Sequence, residues 1–404
     1  MTRSPSTKRP RRQNHLEYYR EHGIAPVRYD LSSMEAHLQR REALYRKLGL
    51  LPIAFHGAAV LEVAAGTGHN SLYVAQLAPR RLVLLEPNAA AVAHIHAAYA
   101  GFGMPHTAPE IETRTLQEFA SPSPFDIVLC ENWLGTSERE LALLDKLGAL
   151  VASGGVLVVT TVSPIGFVPN LLRRFLVPYL VSPEAGFEAK SAAIERAFAP
   201  HLRTLAAMTR SARDWVQDNM LNPAYFGLCL SIPTVIERLG ARFEAAGASP
   251  SFAEDWRWFK SQAGEARRMN EHFLDEYWRK ALNYLDYREP AAPGDPELAR
   301  RLERLGYEIL AAVEAHEDAH LADRAGIAPA AARVREALAD FIAALPAQQP
   351  AVAALHELAA LRIRPAEEMI GAVAGMKRFG SLFGRETSYL SLTRNPAWAP
   401  GFAA

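Results

Sequence analysis

The stretch Leu61-Glu62-Val63-Ala64-Ala65-Gly66-Thr67-Gly68-His69-Asn70-Ser71 leaves an apolar run and enters a helical one. Ala58 to Val63 is apolar except for Glu62, and Leu72, Tyr73 and Leu77 recur at helical spacing beyond the turn. Glycine recurs between them because a ligand lying across the carboxyl end of a strand needs the backbone close and side chains out of the way. The next apolar run, Arg81 to Leu85, closes on Glu86, eighteen residues after Gly68. A carboxylate at that point can accept two hydrogen bonds from a ribose diol. Together these features describe a pocket for an adenosine-bearing cofactor.

Outward from this turn the period keeps changing. A helix is expected around Val92, Ile95 and Tyr99, a weaker strand at Ile111 to Thr115 and a strong one at Phe125 to Cys130. A helix from Leu141 to Leu150 and a strand from Val156 to Thr161, after a turn at Gly154-Gly155, complete the series. Short apolar strands alternating with helices, without period-two polarity, predict a parallel sheet covered on both faces, a doubly wound, Rossmann-like α/β domain. Ahead of it, Leu16 to Leu50 is aromatic and helical; behind it, residues 167–375 are rich in Ala, Leu, Arg and Glu at helical spacing. One short strand is expected at Ser251-Phe252-Ala253. Thr387 to Thr393 alternates like a strand, so the tail is expected to return to the sheet. The organisation read from this is a basic, disordered tail (1–14), a helical lid segment (15–54), the cofactor-binding Rossmann-like domain (55–165), a mostly helical substrate or oligomerisation region (166–375) and a C-terminal strand returning to the sheet with its tail (376–404).

What the turn lacks narrows the cofactor. A dinucleotide fingerprint begun at Gly66 needs glycine at position 71, where Ser71 stands, and no Lys-Ser/Thr pair follows to make a P-loop. A pyrophosphate is poorly served. What remains is adenosine attached to something other than phosphate.

These residues resemble the class I S-adenosylmethionine-dependent methyltransferases, whose first motif is an acidic residue followed by x-G-x-G-x-G. Glu62 to Gly68 matches it, with Ala64 in place of the first glycine. The resemblance implies that Glu62 organises the methionine end of S-adenosyl-L-methionine, that Ala64, Gly66, Gly68 and Asn70 run beside it, and that Glu86 holds the ribose. Pro87 and Asn88 would flank the adenine. Phe125 to Cys130 followed by Glu131-Asn132-Trp133 is similar to the family's fourth motif, and Leu147 to Val159 to its fifth. The aspartate that many members use toward the adenine amino group is replaced by Thr115-Leu116-Gln117-Glu118, which leaves the Leu116 backbone or the Gln117 amide for that contact. The Asn/Asp-Pro-Pro-aromatic signature of amide and base N-methylases is absent from Glu131-Asn132-Trp133-Leu134. The resemblance covers residues 55–162.

The expected activity is methyl transfer to the oxygen or nitrogen of a small biosynthetic molecule. Cleavage or cyclisation of the sulfonium, and a non-catalytic cofactor-binding scaffold, are the alternatives. Methyl transfer asks the protein to align the acceptor, exclude water and remove a proton. Tyr19, His69, Glu131 and Trp133 are candidates for that work, and Tyr18, Arg28 and Tyr29 for holding substrate, each with a rival reading as packing or surface. Trp215, Trp256, Trp258, Tyr277 and Trp278 either roof a substrate cavity or form core or a homodimer face. His316-Glu317-Asp318-Ala319-His320 fits H-E-x-x-H, but the charged Asp318 and a solvated surround argue against zinc, so no metal is expected.

Composition agrees with this reading. With 44 Lys+Arg against 44 Asp+Glu the 404-residue chain carries no formal net charge, which does not invite nucleic acid or an anionic membrane. Its two cysteines, Cys130 and Cys229, exclude a disulfide scaffold and point to a reducing, cytoplasmic setting. No apolar run approaches the ~20 residues of a membrane span.

Overall fold

The computed structural model describes residues 13–24, 33–103, 105–134, 138–206, 208, 210–225, 229–288, 290–322 and 326–395. Two helices come first, α1 (His15–His22) and α2 (Met34–Lys47). Then β1 (Ala59–Val63), α3 (Ser71–Gln76), β2 (Arg81–Leu85), α4 (Ala89–Phe102), β3 (Glu110–Glu112), β4 (Phe125–Cys130), α5 (Glu138–Leu150) and β5 (Val151–Val162) alternate as expected. Helices α6 (Pro164–Leu180), α7 (Phe187–Leu202), α8 (Ala212–Val216) and α9 (Ile232–Leu239) follow, α8 running on into a π turn over Gln217–Leu221. After β6 (Phe243–Ser249) come α10 (Met269–Lys280), α11 (Pro296–Ala322), α12 (Ile327–Ala344), α13 (Pro350–Ala359), α14 (Ala366–Ala374) and α15 (Arg378–Ser381), and β7 (Thr387–Arg394) closes the series.

The seven strands form one sheet in the order β3-β2-β1-β4-β5-β7-β6. The first five are parallel, and β7 enters antiparallel between β5 and β6. Alternate side chains feed two cores, as a doubly covered sheet requires. Val60, Leu82, Leu84, Ile127 and Leu129 face Tyr45 of α2, Leu48 just past its end, Val74 and Ile95. Leu61, Val63, Val83, Leu85, Val128 and Val159 face Leu144 and Leu147 of α5 and the helical region through Phe167 and Leu171 of α6. The strand order switches at β1, running to β2 and β3 on one side and to β4 and β5 on the other, so a ligand crevice opens above the carboxyl ends of these parallel strands.

Three expectations are corrected. Gly154-Gly155 is not a turn before β5 but part of it: register jumps from Phe125↔Val151 to Ile127↔Val156, so residues 152–155 bulge out of the strand. Ser251-Phe252-Ala253 is not a strand; the pairing segment is β6, just before it. The region read as mostly helical therefore contributes a strand. The third strand is shorter and earlier than expected, Glu110–Glu112 instead of Ile111 to Thr115.

His316 and Glu317 belong to packing. His316 is fully buried on α11, its Nε2 3.0 Å from the Tyr179 hydroxyl and its ring 4.9 Å from Phe175. Glu317 pairs with Arg174 of α6 at 3.1 Å. Among the described residues no group of three or more His, Cys, Asp or Glu is placed to hold a metal ion. Burial first, then His320, pushes the His316 pKa down to about 4. A histidine lowered in the folded state costs stability as acid protonates the unfolded chain. Wild type is therefore expected to lose about 3 kcal/mol relative to His316→Gln as pH falls from ~6.5 to ~4, and none above that window. Urea unfolding of both proteins across the range measures it; parallel curves would remove His316 from the acid response.

Candidate functional site

The glycine turn sits on the crevice. Ala64, Gly66 and Gly68 all take positive φ, at 57°, 58° and 75°. Ala64 is held there by its N–H donating to Leu85 O at 2.9 Å, a conformation that costs an L-residue ~1–2 kcal/mol. At Gly68 a Cβ would also lie 2.9 Å from Ile95 Cγ1, so the turn can enter α3 only with glycine at this position. Asn70 precedes α3 without a side-chain capping bond.

Glu86 faces the turn from β2. Its Oε2 accepts from Gly66 N at 2.8 Å and its Oε1 from Asn88 N at 2.9 Å, which fixes the carboxylate while leaving each oxygen a lone pair. Burial raises its pKa, and the two backbone donors oppose the shift. Asn88 caps α4 through its Oδ1, and the Pro87 carbonyl accepts from Arg20 of α1 at 2.9 Å.

At the ends of β1 and β4 the structure assembles a group only partly anticipated. Glu131 is bound by Arg41 of α2 at 2.6 and 2.7 Å, and by the Tyr45 hydroxyl at 2.9 Å. Glu62, 4% exposed, stands beside this network, its Oε2 without a partner. Burial, with the charges of Glu131 and Glu86 adding and Arg41 opposing, pushes its pKa up to about 8. Arg41 Nε is likewise buried and unpartnered. One orphan acceptor and one orphan donor thus face the same corner, a pattern complementary to the ammonium and carboxylate of an amino acid. Arg41 and Tyr45 were invisible as site residues because their i, i+4 spacing reads as the buried face of an ordinary helix.

Other candidates scatter. His69 Nδ1 lies 2.8 Å from Thr67 Oγ1, and burial lowers its pKa, so the ring is neutral near pH 7. Trp133 is partly buried against the core shared with the helical region. The Leu116 side chain is in that same core, leaving only its backbone for a ligand, while the Gln117 side chain is exposed and its carbonyl accepts from Lys146. Tyr18 and Tyr19 on α1 reach the π turn, donating to Gln217 O at 2.6 Å and Asp218 Oδ1 at 2.7 Å. With Arg20 on Pro87, α1 therefore spans the crevice from β2 to the π turn. Arg28 and Tyr29 lie outside the described residues.

Residues 34–215 match the family described as a methyltransferase domain. Over this segment the chain is similar to methyltransferases. The match begins at α2 and ends in α8, so Arg41 falls inside the methyltransferase segment along with the turn. Solved methyltransferases show a distant likeness. They include the CcbJ methyltransferase of Streptomyces caelestis (17% identity, 27% of this chain and 45% of that one, TM-score 0.25) and the N-methyltransferase NodS of Bradyrhizobium japonicum with S-adenosyl-L-homocysteine (15%, 36% and 74%, 0.29). PKMT2 of Rickettsia typhi, in complex with AdoHcy, is similar at 14% identity over 56% of this chain and 45% of that one, with a TM-score of 0.39. The chain spans less than half the length of the first and third of these. At such scores the likenesses say nothing of function. No curated protein matches the chain.

Proposed function

We propose that the chain transfers the methyl group of S-adenosyl-L-methionine to a small molecule. The observation that supports it best is the pair of buried orphan atoms, Glu62 Oε2 and Arg41 Nε, beside a turn and a carboxylate suited to adenosine. Glu62 takes the amino acid ammonium, Arg41 the carboxylate, and Glu86 the ribose hydroxyls. When bound, the cofactor supplies a methyl already activated by the sulfonium charge. The protein's work is then alignment, exclusion of water and removal of a proton from the acceptor. Helix α1 covers the crevice for that purpose, and the helical residues after β5 build the acceptor side and set its choice.

Calorimetry with S-adenosyl-L-homocysteine tests the assignment. Glu86→Ala is expected to weaken binding at least tenfold, by losing bonds from two hydroxyls to a charged acceptor at ~1.5–3 kcal/mol each. Binding unchanged in this variant would remove the ribose role.

A further inference from the structure

A second polar cluster closes the carboxyl edge of the sheet on its β7 side, outside the cofactor corner. Val63, Cys130 and Val159 lie level across β1, β4 and β5, and Thr387 pairs with Val162, three residues further along. Glu386, immediately before β7, thus stands roughly 10 Å beyond the strand ends at ~3.3 Å per residue. Its carboxylate accepts from Asn170 Nδ2 on α6, and its backbone carbonyl from Ser163 N at 2.8 Å. From the other side the π turn, a device common at functional sites, presents Asp218, which accepts from Tyr19 and from Arg210 at 2.7 Å.

The nearby cations are engaged through most of their donors, Arg173 Nε alone among those of Arg173 and Arg174 being buried without a partner. Arg173 donates to the carbonyls of Pro169, Phe379, Gly380 and Leu382, Arg174 to Glu317 and the carbonyls of Asn219 and Asn222, and Arg210 to Asp218. On the Asn170–Glu386 pair itself, what is left over is acceptor capacity. Asn170 is 6% exposed and its Oδ1 has no partner, while Glu386 keeps lone pairs beyond the Asn170 bond. A ligand held by these two side chains donates hydrogen bonds to them.

We propose that Asn170 and Glu386 form the seat of the methyl acceptor, and that the acceptor is an amine whose N–H groups they take. The proposal rests on the methyltransferase reading. Burial raises the Glu386 pKa to about 7, with Asn170, Arg173 and Arg210 opposing and Asp218 adding. A carboxylate of that strength relieves an ammonium, pKa ~10, of its proton over about three units, whereas an alcohol is nearly as weak an acid as water and far out of its reach. The proton passes from nitrogen to Glu386 Oε; the freed lone pair forms the N–C bond as the S–C bond of the methyl donor breaks, leaving a neutral thioether. Both Asn170 and Glu386 escape a sequence reading, being 216 positions apart.

Phenethylamine, 2-phenylethanol and phenylacetate share one skeleton and differ in the head group, so they serve as probes. Binding to the full chain, saturated with S-adenosyl-L-homocysteine to prevent turnover, is read by saturation-transfer NMR. Phenethylamine is expected to bind at least tenfold more tightly than the other two, and Glu386→Gln and Asn170→Ser to lose at least tenfold of that affinity while holding the cofactor product within twofold of wild type. The product's affinity doubles as the check that each variant is folded. Equal or better binding of the alcohol or the acid, amine binding that survives both substitutions, or no amine binding to wild type each overturns the proposal. Failure of wild type to bind the cofactor product instead overturns the cofactor reading, and the amine titration without it still reports on the seat.

Discussion

Arg41→Met is expected to lower stability by about 3–5 kcal/mol, because it strands the buried Glu131 carboxylate without its counter-ion. The same change is expected to weaken S-adenosyl-L-methionine binding at least about 30-fold, a charge-assisted contact of ~2–5 kcal/mol being lost. The two effects separate in Arg41→Met/Glu131→Gln. There neither charge is orphaned, and the glutamine still bonds the Tyr45 hydroxyl that Glu131 takes at 2.9 Å. Urea unfolding should show most of the stability restored, while calorimetry should show the affinity still missing. A double variant that binds the cofactor like wild type would exclude Arg41 from the site.

Arg173→Leu is the second large expected loss, about 3–5 kcal/mol, and it acts on the frame instead of the cofactor. The guanidinium is fully buried and lies 3.9 Å from the Phe383 ring centroid, with bonds to three carbonyls of residues 379–382. Each carbonyl left dry and unpaired costs ~1–3 kcal/mol. Because that segment feeds β7, hydrogen exchange at Leu390 and Leu392 is expected to accelerate together with the drop in urea midpoint. Arg173→Lys keeps the charge but lacks the planar fork that spans several carbonyls, so it should lose an intermediate amount. A loss below ~1 kcal/mol in Arg173→Leu would mean the segment is held by its aromatic contacts alone.

The first five strands and the glycine turn were legible because each is written in contiguous residues: an apolar run, a breaker, a helical period. β6 was not. Ala245, Gly247 and Ala248 have little strand preference, and their place is set from outside, Gly247 lying so close to Leu48 that a Cβ would come within 3.0 Å of its Cα. The Gly154-Gly155 pair was read by its usual meaning, a turn, whereas the register shows a bulge that only the β4 partner defines. Within the candidate site, Glu62, Gly66, Gly68 and Glu86 are the residues that spacing in the sequence singles out. Arg41 did not, because what marks it is a carboxylate ninety positions away. Glu131 was read from its place after β4, but its ion pair could not be.

The most direct test of the central claim is a calorimetric titration of the wild-type chain with S-adenosyl-L-methionine, with NAD as the control for a generic adenosine pocket. The account predicts one site per chain for S-adenosyl-L-methionine and no saturable heat with NAD, whose pyrophosphate the turn is not built to hold. Saturable binding of NAD, or none of S-adenosyl-L-methionine, would contradict it.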